Sequence, residues 1–214
     1  MERDNRAWIA GFAVAVLAAL FFAALAHAVV QGATQSFDAS VRSTIHSWAT
    51  PQLTGVMSGV TQLGSVTVLL PLGVILVWRL YAAGRPRAAV LLAVTVLGAQ
   101  VFDQALKFGF RRPRPAVFFD LAQPGTYSFP SGHSVTSCCF YGVLAAILTA
   151  GAVSWRRKVL IWAVAVTVTL AVGFSRVYLG VHYPTDVLGG YAVAVVWVAM
   201  VRVAYEMWLA KSRK

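Results

Sequence analysis

The sequence predicts an all-α protein, a bundle of six membrane-spanning helices, and three observations lead to this prediction. First, the 214-residue chain is 59% hydrophobic and only 12% charged, which is typical of membrane proteins. Second, the apolar residues are gathered into long runs and do not alternate with polar residues. Third, six of these runs are close to the length of about 20 residues that a helix needs to cross the hydrocarbon layer.

The six predicted spans take up nearly the whole chain. They lie near residues 8–30, 56–78, 88–106, 134–153, 159–175 and 187–209. No linker, internal repeat or low-complexity tract is evident, so residues 1–214 are expected to form a single integral-membrane domain. Because Ala26-His27-Ala28 is similar to a cleavage site, the first run has the alternative of being a signal peptide. Its apolar stretch is longer than the usual signal core, which favours a retained span.

The segment Gln31 to Pro51, between the first two spans, predicts a helix lying on the outer face. Its larger apolar residues recur at near-helical spacing: Phe37, Val41, Ile45 and Trp48. Two interpretations stay open, a guide for lipid entry and a simple connector. His27 and His46 match no motif and are expected to be structural.

The net charge of +11 would suggest a nucleic-acid partner in a soluble protein, but here its distribution indicates orientation and no nucleic acid is expected. Twelve basic residues fall at the termini, in the second and fourth loops or near the end of the last span: Arg3, Arg6, Arg79, Arg85, Arg87, Arg156, Arg157, Lys158, Arg202, Lys211, Arg213 and Lys214. In a six-span chain these segments share one side, and the positive-inside rule makes that side the cytoplasm. The expected location is the bacterial inner membrane, with both termini cytoplasmic.

Six basic residues lie on the other side, against this bias: Arg42, Lys107, Arg111, Arg112, Arg114 and Arg176. Arg42 is interpreted as an interfacial anchor. For most of the others the topology supplies a reason, because spans 3 and 5 end on the outer face and spans 4 and 6 begin there. The sequence therefore predicts an active or binding site at the outer ends of spans 3 to 6, on the periplasmic or extracellular side.

The residues at these helix ends suit phosphate chemistry. Lys107, Arg114 and Arg176 offer an ammonium and two guanidinium groups, and a guanidinium can bind phosphate oxygens in a bidentate way. A helix that begins near Ser131 directs free backbone N–H groups and a positive dipole end at an anion. Gly132 would let the backbone approach that anion closely.

Two i,i+4 pairs of an acid and a base are also predicted. If the last helix begins near Tyr183, Asp186 can reach back to the His182 ring, fix its tautomer and leave the other nitrogen free to attack. Asp103 lies one helical turn before Lys107, and the expected role of its carboxylate is to hold that lysine in position. The contacts of Arg111 and Arg112 stay open between phosphate, a lipid headgroup and plain solvation.

The chain resembles the type 2 phosphatidic acid phosphatase superfamily through three motifs in their usual order. They are K-x6-R-P from Lys107 to Pro115, P-S-G-H from Pro130 to His133, and S-R-x5-H-x3-D from Ser175 to Asp186. The resemblance implies that His182 forms a phosphohistidine oriented by Asp186, and that His133 protonates the leaving oxygen. It also implies that the phosphate is bound by Lys107, Arg114, Arg176, Ser131 and the Gly132 amide. No metal and no cofactor are expected, since the family works without them.

The expected function is hydrolysis of a lipid phosphate monoester or diphosphate at the outer face. The substrates considered are phosphatidic acid, phosphatidylglycerol phosphate, diacylglycerol diphosphate and polyprenyl diphosphates such as undecaprenyl diphosphate. One alternative is a phosphotransferase, in which a hydroxyl group replaces water as the acceptor. Another is a non-enzymatic, anion-binding transporter, but transporters typically place their polar groups near the midplane and here the charges cluster at one face.

Overall fold

The computed structural model describes residues 2–119, 125–151 and 153–211, with side chains from residue 11 to residue 208. These residues form eight helices and contain no strand, so the prediction of an all-α protein is confirmed. The helices are α1 (Glu2–Val30), α2 (Gln35–His46), α3 (Pro51–Gln62), α4 (Val66–Ala82), α5 (Pro86–Phe110), α6 (Gly132–Thr149), α7 (Trp155–Tyr178) and α8 (Pro184–Lys211).

Five helices of the described chain are long and apolar enough to cross a membrane: α1, α5, α6, α7 and α8. The bent pair α3 and α4 meets the same criteria when taken together, which makes it the candidate for a sixth span. Large apolar side chains are exposed along these helices, for example Phe12, Trp78 and Val101. Their exposure fits a lipid environment, where apolar surface carries no cost.

The predicted second span, 56–78, is wrong as a continuous helix, because the chain breaks between α3 and α4 with a bend of 40°. The break is a turn in which Ser65 Oγ donates to Gln62 O over 2.9 Å. Gly64 lies between Val172 and His133, and a Cβ at this position would collide with the Val172 side chain. Only a glycine therefore allows the break to pack so closely against α6 and α7.

Proline and a left-handed residue set the limits of the helices that carry the motifs. Pro86 and Pro184 stand at the first position of α5 and α8, where the missing N–H costs nothing. After α5, Arg111 adopts the left-handed conformation with φ of 50°. The chain cannot continue as a helix there, since Pro113 restricts the residue before it.

Helix α6 is the centre of the bundle and packs against α5, α7 and α8, while α1 packs on α8, α4 on α5 and α3 on α7. The core between α6 and α8 includes Val135 and Val193, both almost fully buried. Phe22 of α1 stacks on Phe129 with ring centroids 5.6 Å apart. The loop before α6 is thereby packed against the first span.

Helix α2 is the predicted helix between the first two spans. Phe37 and Trp48 are 52% and 54% exposed, whereas Ile45 is buried in the bundle. His46 stacks on Phe118 at 3.9 Å between ring centroids, as a structural residue would.

The interpretation of Arg42 as an interfacial anchor is wrong. It donates to the backbone oxygens of Ala116 and Gly180 over 2.6 and 3.2 Å, because α2 packs closely enough to reach free carbonyl groups. Of the basic residues predicted to be cytoplasmic, Arg213 and Lys214 lie outside the described residues, as do the side chains of Arg3, Arg6 and Lys211.

Candidate active site

Four helix ends meet at one end of the bundle: the carboxyl ends of α5 and α7 and the amino ends of α6 and α8. Backbone hydrogen bonds join three of them, since Ser131 N donates to Asp186 O over 2.9 Å and His182 N donates to Arg176 O over 3.3 Å. Lys107 of α5 reaches the same place, where its Nζ lies 2.7 Å from the carbonyl oxygen of the residue before Ser131. The structure thus brings together polar residues from four different spans.

The His182 imidazole is held at both ring nitrogens. Its Nδ1 lies 3.2 Å from Asp186 Oδ2, and its Nε2 lies 3.1 Å from Arg114 Nη1. A guanidinium only donates hydrogen bonds, so Nε2 is the accepting nitrogen and Nδ1 carries the proton that Asp186 accepts. In this tautomer Nε2 carries no proton and its lone pair is free, as nucleophilic attack requires.

The surroundings also keep this imidazole neutral. His182 is 2% exposed, and burial, which disfavours the charged form, is the main reason why its pKa is lowered to about 4. The Asp186 carboxylate acts in the opposite direction, whereas Arg114 and Arg176 add to the decrease of the pKa. At neutral pH His182 is therefore an unprotonated base.

Lys107 is paired within its own helix. Its Nζ lies 2.5 Å from Asp103 Oδ1, and both side chains are buried, which is the i,i+4 pair that the sequence predicts. Gly132 packs directly against this pair: a Cβ there would lie 2.9 Å from Asp103 Oδ2 and 3.3 Å from Lys107 Nζ. The close approach of the ion pair therefore requires a glycine at the start of α6, a reason that the sequence analysis did not contain.

Two buried polar atoms of this cluster have no hydrogen-bond partner within the described residues, Ser131 Oγ and Arg176 Nε. The Ser131 side chain does not cap α6, although it stands at the cap position. The Arg176 guanidinium is held from another side by Thr61 Oγ1, 2.7 Å from Nη1. Because buried polar groups are normally hydrogen-bonded, a free hydroxyl and a free guanidinium N–H are donors that the oxygens of an anion can satisfy.

Arg114 uses its donors to connect the loop after residue 124 with the nucleophile candidate. Besides His182, it donates to the carbonyl oxygens of Thr126, Tyr127 and Val181 over 2.6, 3.3 and 3.0 Å. A cavity of about 410 Å³ adjoins this guanidinium and is lined by Gln104, Lys107, Phe108, Arg112, Pro113, Arg114, Gly125, Thr126 and Tyr127. A phosphate that binds Arg114 must take over some of these bonds.

His133 lies in the first turn of α6, beside Gly64 at the break between α3 and α4. Lys107, Arg176 and His182 are near enough to act on it electrostatically. The predicted proton donor and the predicted nucleophile therefore belong to one cluster.

Arg111 and Arg112 have different surroundings. Arg111 is exposed, and its Nε donates to Phe108 O over 3.1 Å at the end of α5. Arg112 turns inward and pairs with Asp186 over 2.6 Å and with Asp38 over 2.7 Å. Plain solvation of Arg112 is thereby contradicted, because both terminal nitrogens of its guanidinium face carboxylates. Contact of Arg112 with phosphate or a headgroup stays a prediction.

Three buried residues that complete the cluster belong to no predicted site: Asp38, Thr61 and Thr185. Asp38 of α2 accepts hydrogen bonds from Thr185 N and Oγ1, and Thr61 holds Arg176. An acidic residue in a helix predicted to lie at the membrane surface was a signal that could have found Asp38. No sequence signal separates the two threonines from others, since their partners are distant in the chain.

Fold and site define the class: an integral membrane enzyme whose cationic, helix-end cluster includes the neutral His182 and suits phosphate transfer. The PAP2 superfamily model matches residues 88–209, and the chain belongs to this family. The resemblance found in the motifs is thereby confirmed, and the protein is a phosphatase. Within the described residues no group of three or more His, Cys, Asp or Glu could hold a metal ion; independence of a metal stays a prediction.

Relatives and solved structures agree with this assignment. Phosphatidylglycerophosphatase B of Bacillus subtilis (strain 168) is 34% identical over 184 residues, 86% of this chain and 90% of that protein. An undecaprenyl-diphosphatase of Sulfolobus acidocaldarius is 26% identical over 159 residues, 72% of this chain and 71% of that protein. The crystal structure of a transmembrane PAP2 type phosphatidylglycerolphosphate phosphatase from Bacillus subtilis matches with a TM-score of 0.83 and 34% identity, over 90% of this chain and 96% of that chain.

Proposed function

We propose that the chain hydrolyses a lipid phosphate monoester or diphosphate through a phosphohistidine formed on His182. The observation that carries the proposal is the state of the His182 ring: buried, neutral, and with the lone pair of Nε2 directed at a guanidinium that a phosphate can replace. An imidazole held in this way is prepared to attack phosphorus and not to act only as a proton acceptor.

The phosphoryl group would be bound by Lys107, Arg114 and Arg176 around it. Ser131 Oγ and Arg176 Nε, both without a partner among the described residues, supply further donors. The free N–H groups at the start of α6, with the positive end of the helix dipole, add to this binding. Together these groups stabilise the charge that develops in the transition state.

The reaction then takes two steps. In the first, the Nε2 lone pair of His182 forms a bond to phosphorus while the bond from phosphorus to the lipid oxygen breaks, and His133 gives that oxygen a proton. In the second, water attacks phosphorus as the N–P bond breaks, and its proton returns to His133. Inorganic phosphate leaves, and His182 regains its neutral form. A phosphotransferase would differ only in the second step, where a hydroxyl replaces water.

The substrate that the comparisons support best is phosphatidylglycerol phosphate, since the 34% identical relative and the 34% identical solved structure are both named as phosphatases of that lipid. Undecaprenyl diphosphate is the second candidate, on the relative with 26% identity. The cavity beside Arg114 adjoins the lipid-facing side of α5 at Phe108, which is exposed. This position suits a headgroup whose apolar tail stays in the membrane.

The whole chain, residues 1–214, would form one membrane domain with the active site on the outer side of a bacterial inner membrane. The basic residues Arg79, Arg85, Arg87, Arg156 and Arg157 lie at the opposite end from His182 and support cytoplasmic termini. Single cysteines at Gly84 and Gly125 test this orientation. An impermeant thiol reagent on intact cells should label only the second, and labelling of the first alone would reverse it.

The proposed chemistry is tested by trapping the intermediate. Rapid quenching with labelled phosphatidylglycerol phosphate should yield an acid-labile, base-stable phosphoenzyme, and His182→Ala should yield none. His27→Ala is the matched control, because His27 is an exposed residue in the last turn of α1, and it should retain the phosphoenzyme. A His182→Ala enzyme with normal turnover would refute the mechanism, while comparison of the three phospholipids and a polyprenyl diphosphate identifies the substrate.

A further inference from the structure

The carboxylate that orients His182 is itself held by a chain of two residues, and we propose that Arg112 and Asp38 are positioning residues for the nucleophile. This inference rests on the proposed role of His182. Asp38 belongs to α2, which lies outside residues 88–209 that the family model matches. The orientation of the nucleophile would thus depend on a helix beyond the matched region.

The two oxygens of Asp186 have separate partners. Oδ2 accepts hydrogen bonds from His182 Nδ1 over 3.2 Å and from Tyr183 N over 2.9 Å. Oδ1 faces Arg112 Nη1 over 2.6 Å. The Asp186 side chain is fully buried, so Arg112 is the cation that compensates its charge, and without it the carboxylate could turn away from the imidazole.

Arg112 is fixed in turn from two further sides. Its Nη2 lies 2.7 Å from Asp38 Oδ2, and its guanidinium lies over the Tyr183 ring, 4.1 Å from the centroid. The side chain is 11% exposed, whereas Asp38 is fully buried. A guanidinium is a planar fork, so binding one carboxylate at each terminal nitrogen leaves it a single orientation.

Asp38 also holds the start of α8. Its Oδ1 accepts from Thr185 N over 3.1 Å, and Thr185 Oγ1 donates to the same carboxylate. A negative side chain at the amino end of a helix is favourable, and this one determines where α8 begins. Asp38 therefore positions Asp186 in two ways, through Arg112 and through the backbone of α8.

Arg112 has the role of a positioning residue and not of a phosphate ligand. Both terminal nitrogens of Arg112 are used by carboxylates and hydroxyl groups. Removal of Arg112 should therefore slow the transfer to His182 and leave phosphate binding nearly unchanged. A direct phosphate ligand would weaken both.

The experiment compares Arg112→Gln, Asp38→Asn and the double variant with the unchanged protein. Three quantities are measured: the rate of phosphoenzyme formation, KM, and the inhibition constant of inorganic phosphate. Loss of the partner that orients a metal-binding histidine typically costs about 10- to 100-fold, and a loss of the same order is expected in the rate for Arg112→Gln. Asp38→Asn should lose less, and the double variant should lose less than the product of the two single losses, because part of the effect of Asp38 passes through Arg112.

Two further variants give the controls. Arg112→Lys keeps one charged donor and should recover part of the rate. Arg87→Gln changes an exposed arginine at the opposite end of α5 from Lys107 and should change the rate by less than about threefold. Thermal unfolding in detergent shows which variants are folded. If Arg112→Gln does not fold, the rate of phosphoenzyme formation in the nearly isosteric Asp38→Asn tests the proposal instead.

The outcomes are distinct. If the unchanged protein forms no phosphoenzyme on His182, the proposed function fails before this inference is reached. If it does, a normal rate in Arg112→Gln and Asp38→Asn overturns the inference alone. A parallel loss of rate and of phosphate inhibition also overturns it, because Arg112 would then be a phosphate ligand or a support of the whole pocket.

Discussion

Two pairs of an acid and a base share this pocket and the same i,i+4 spacing, Asp103 with Lys107 and His182 with Asp186. The first lies within α5, and its further polar contacts are with a backbone carbonyl and Gln104. The second crosses from a loop into α8 and is extended by long-range contacts, including Arg112. One pair is supported almost entirely by its own helix, the other by residues from distant parts of the chain.

The difference follows from what each base does. A lysine ammonium is a compact charge with three equivalent donors, so a single carboxylate is enough to hold it near a phosphate. An imidazole must present one particular nitrogen, unprotonated and at the right angle. More residues from distant parts of the chain therefore hold His182 than hold Lys107. The two pairs should respond differently to the same substitution.

The largest effect is expected when the two acids are changed in the same way. An amide at position 186 can donate to His182 Nδ1, which favours the tautomer with the proton on Nε2 and blocks attack. In a serine protease this kind of change costs about 10⁴-fold in kcat, and a similar loss is expected for Asp186→Asn. Asp103→Asn can still accept from Lys107, which has no tautomer, and should lose about 10-fold or less.

Single-turnover rates on a lipid substrate measure both variants. The inhibition constant of inorganic phosphate shows whether the pocket is preserved. Equal losses in Asp186→Asn and Asp103→Asn would contradict the comparison, because both acids would then only hold charge.

The second effect concerns His133, for which no supporting carboxylate appears among the interactions described. As a proton donor it should matter in proportion to how poor the leaving group is. His133→Ala should lose about 10²- to 10⁴-fold on a lipid phosphate, but far less in forming the phosphoenzyme from p-nitrophenyl phosphate, whose leaving group departs unaided. The burst phase is the quantity to measure, and equal burst losses on both substrates would assign His133 to phosphate binding.

The third effect tests how closely the Lys107 pair is packed. Gly132→Ala would place a Cβ 2.9 Å from Asp103 Oδ2, and the resulting displacement is expected to lower kcat/KM by about 10- to 100-fold. Gly142→Ala is the matched control, since it lies in the same helix and a Cβ there meets nothing within 4 Å. If both variants have the same kcat/KM, the close approach at Gly132 does not matter for catalysis.

The smallest effect is a pH response that should be nearly absent. With its pKa lowered to about 4, more than about nine-tenths of His182 is neutral at pH 5.5, whereas an ordinary pKa of about 6.5 would leave about one-tenth. The test uses His133→Ala with p-nitrophenyl phosphate, whose leaving group departs unaided, so that titration of His133 does not contribute. After correction for the ionisation of the substrate phosphate near pH 6, the rate of phosphoenzyme formation should change by less than about twofold between pH 7 and 5.5. A decrease of about tenfold would show that His182 titrates normally.

The same lowered pKa affects stability in a defined direction. The unfolded chain binds the proton before the folded chain does. The contribution of His182 to the free energy of unfolding is therefore complete above the ordinary pKa of about 6.5, and it is lost as the pH falls towards about 4. Thermal unfolding at pH 7 and pH 5, compared with His182→Asn, measures this loss.

Local rules predicted the pairs that lie within a few residues of each other. The spacing of Asp103 and Lys107 is one helical turn, and Pro184 at the start of α8 allows Asp186 to reach His182. Hydropathy predicted the spans, but it could not predict the break at Gly64. That break depends on the space left by α6 and α7, which only the packed structure defines.

The sequence by itself determined the all-helical membrane bundle, the helix ends at which the polar residues stand and the two i,i+4 pairs, because each depends on composition or on neighbours along a helix. Tertiary structure alone decided the partners of Arg112, Asp38 and Thr61. These contacts join residues 74 and 115 positions apart, for example Arg112 with Asp186 and Thr61 with Arg176. Their formation depends on how the helices pack, and no periodicity in the chain records which side chains will meet across that packing.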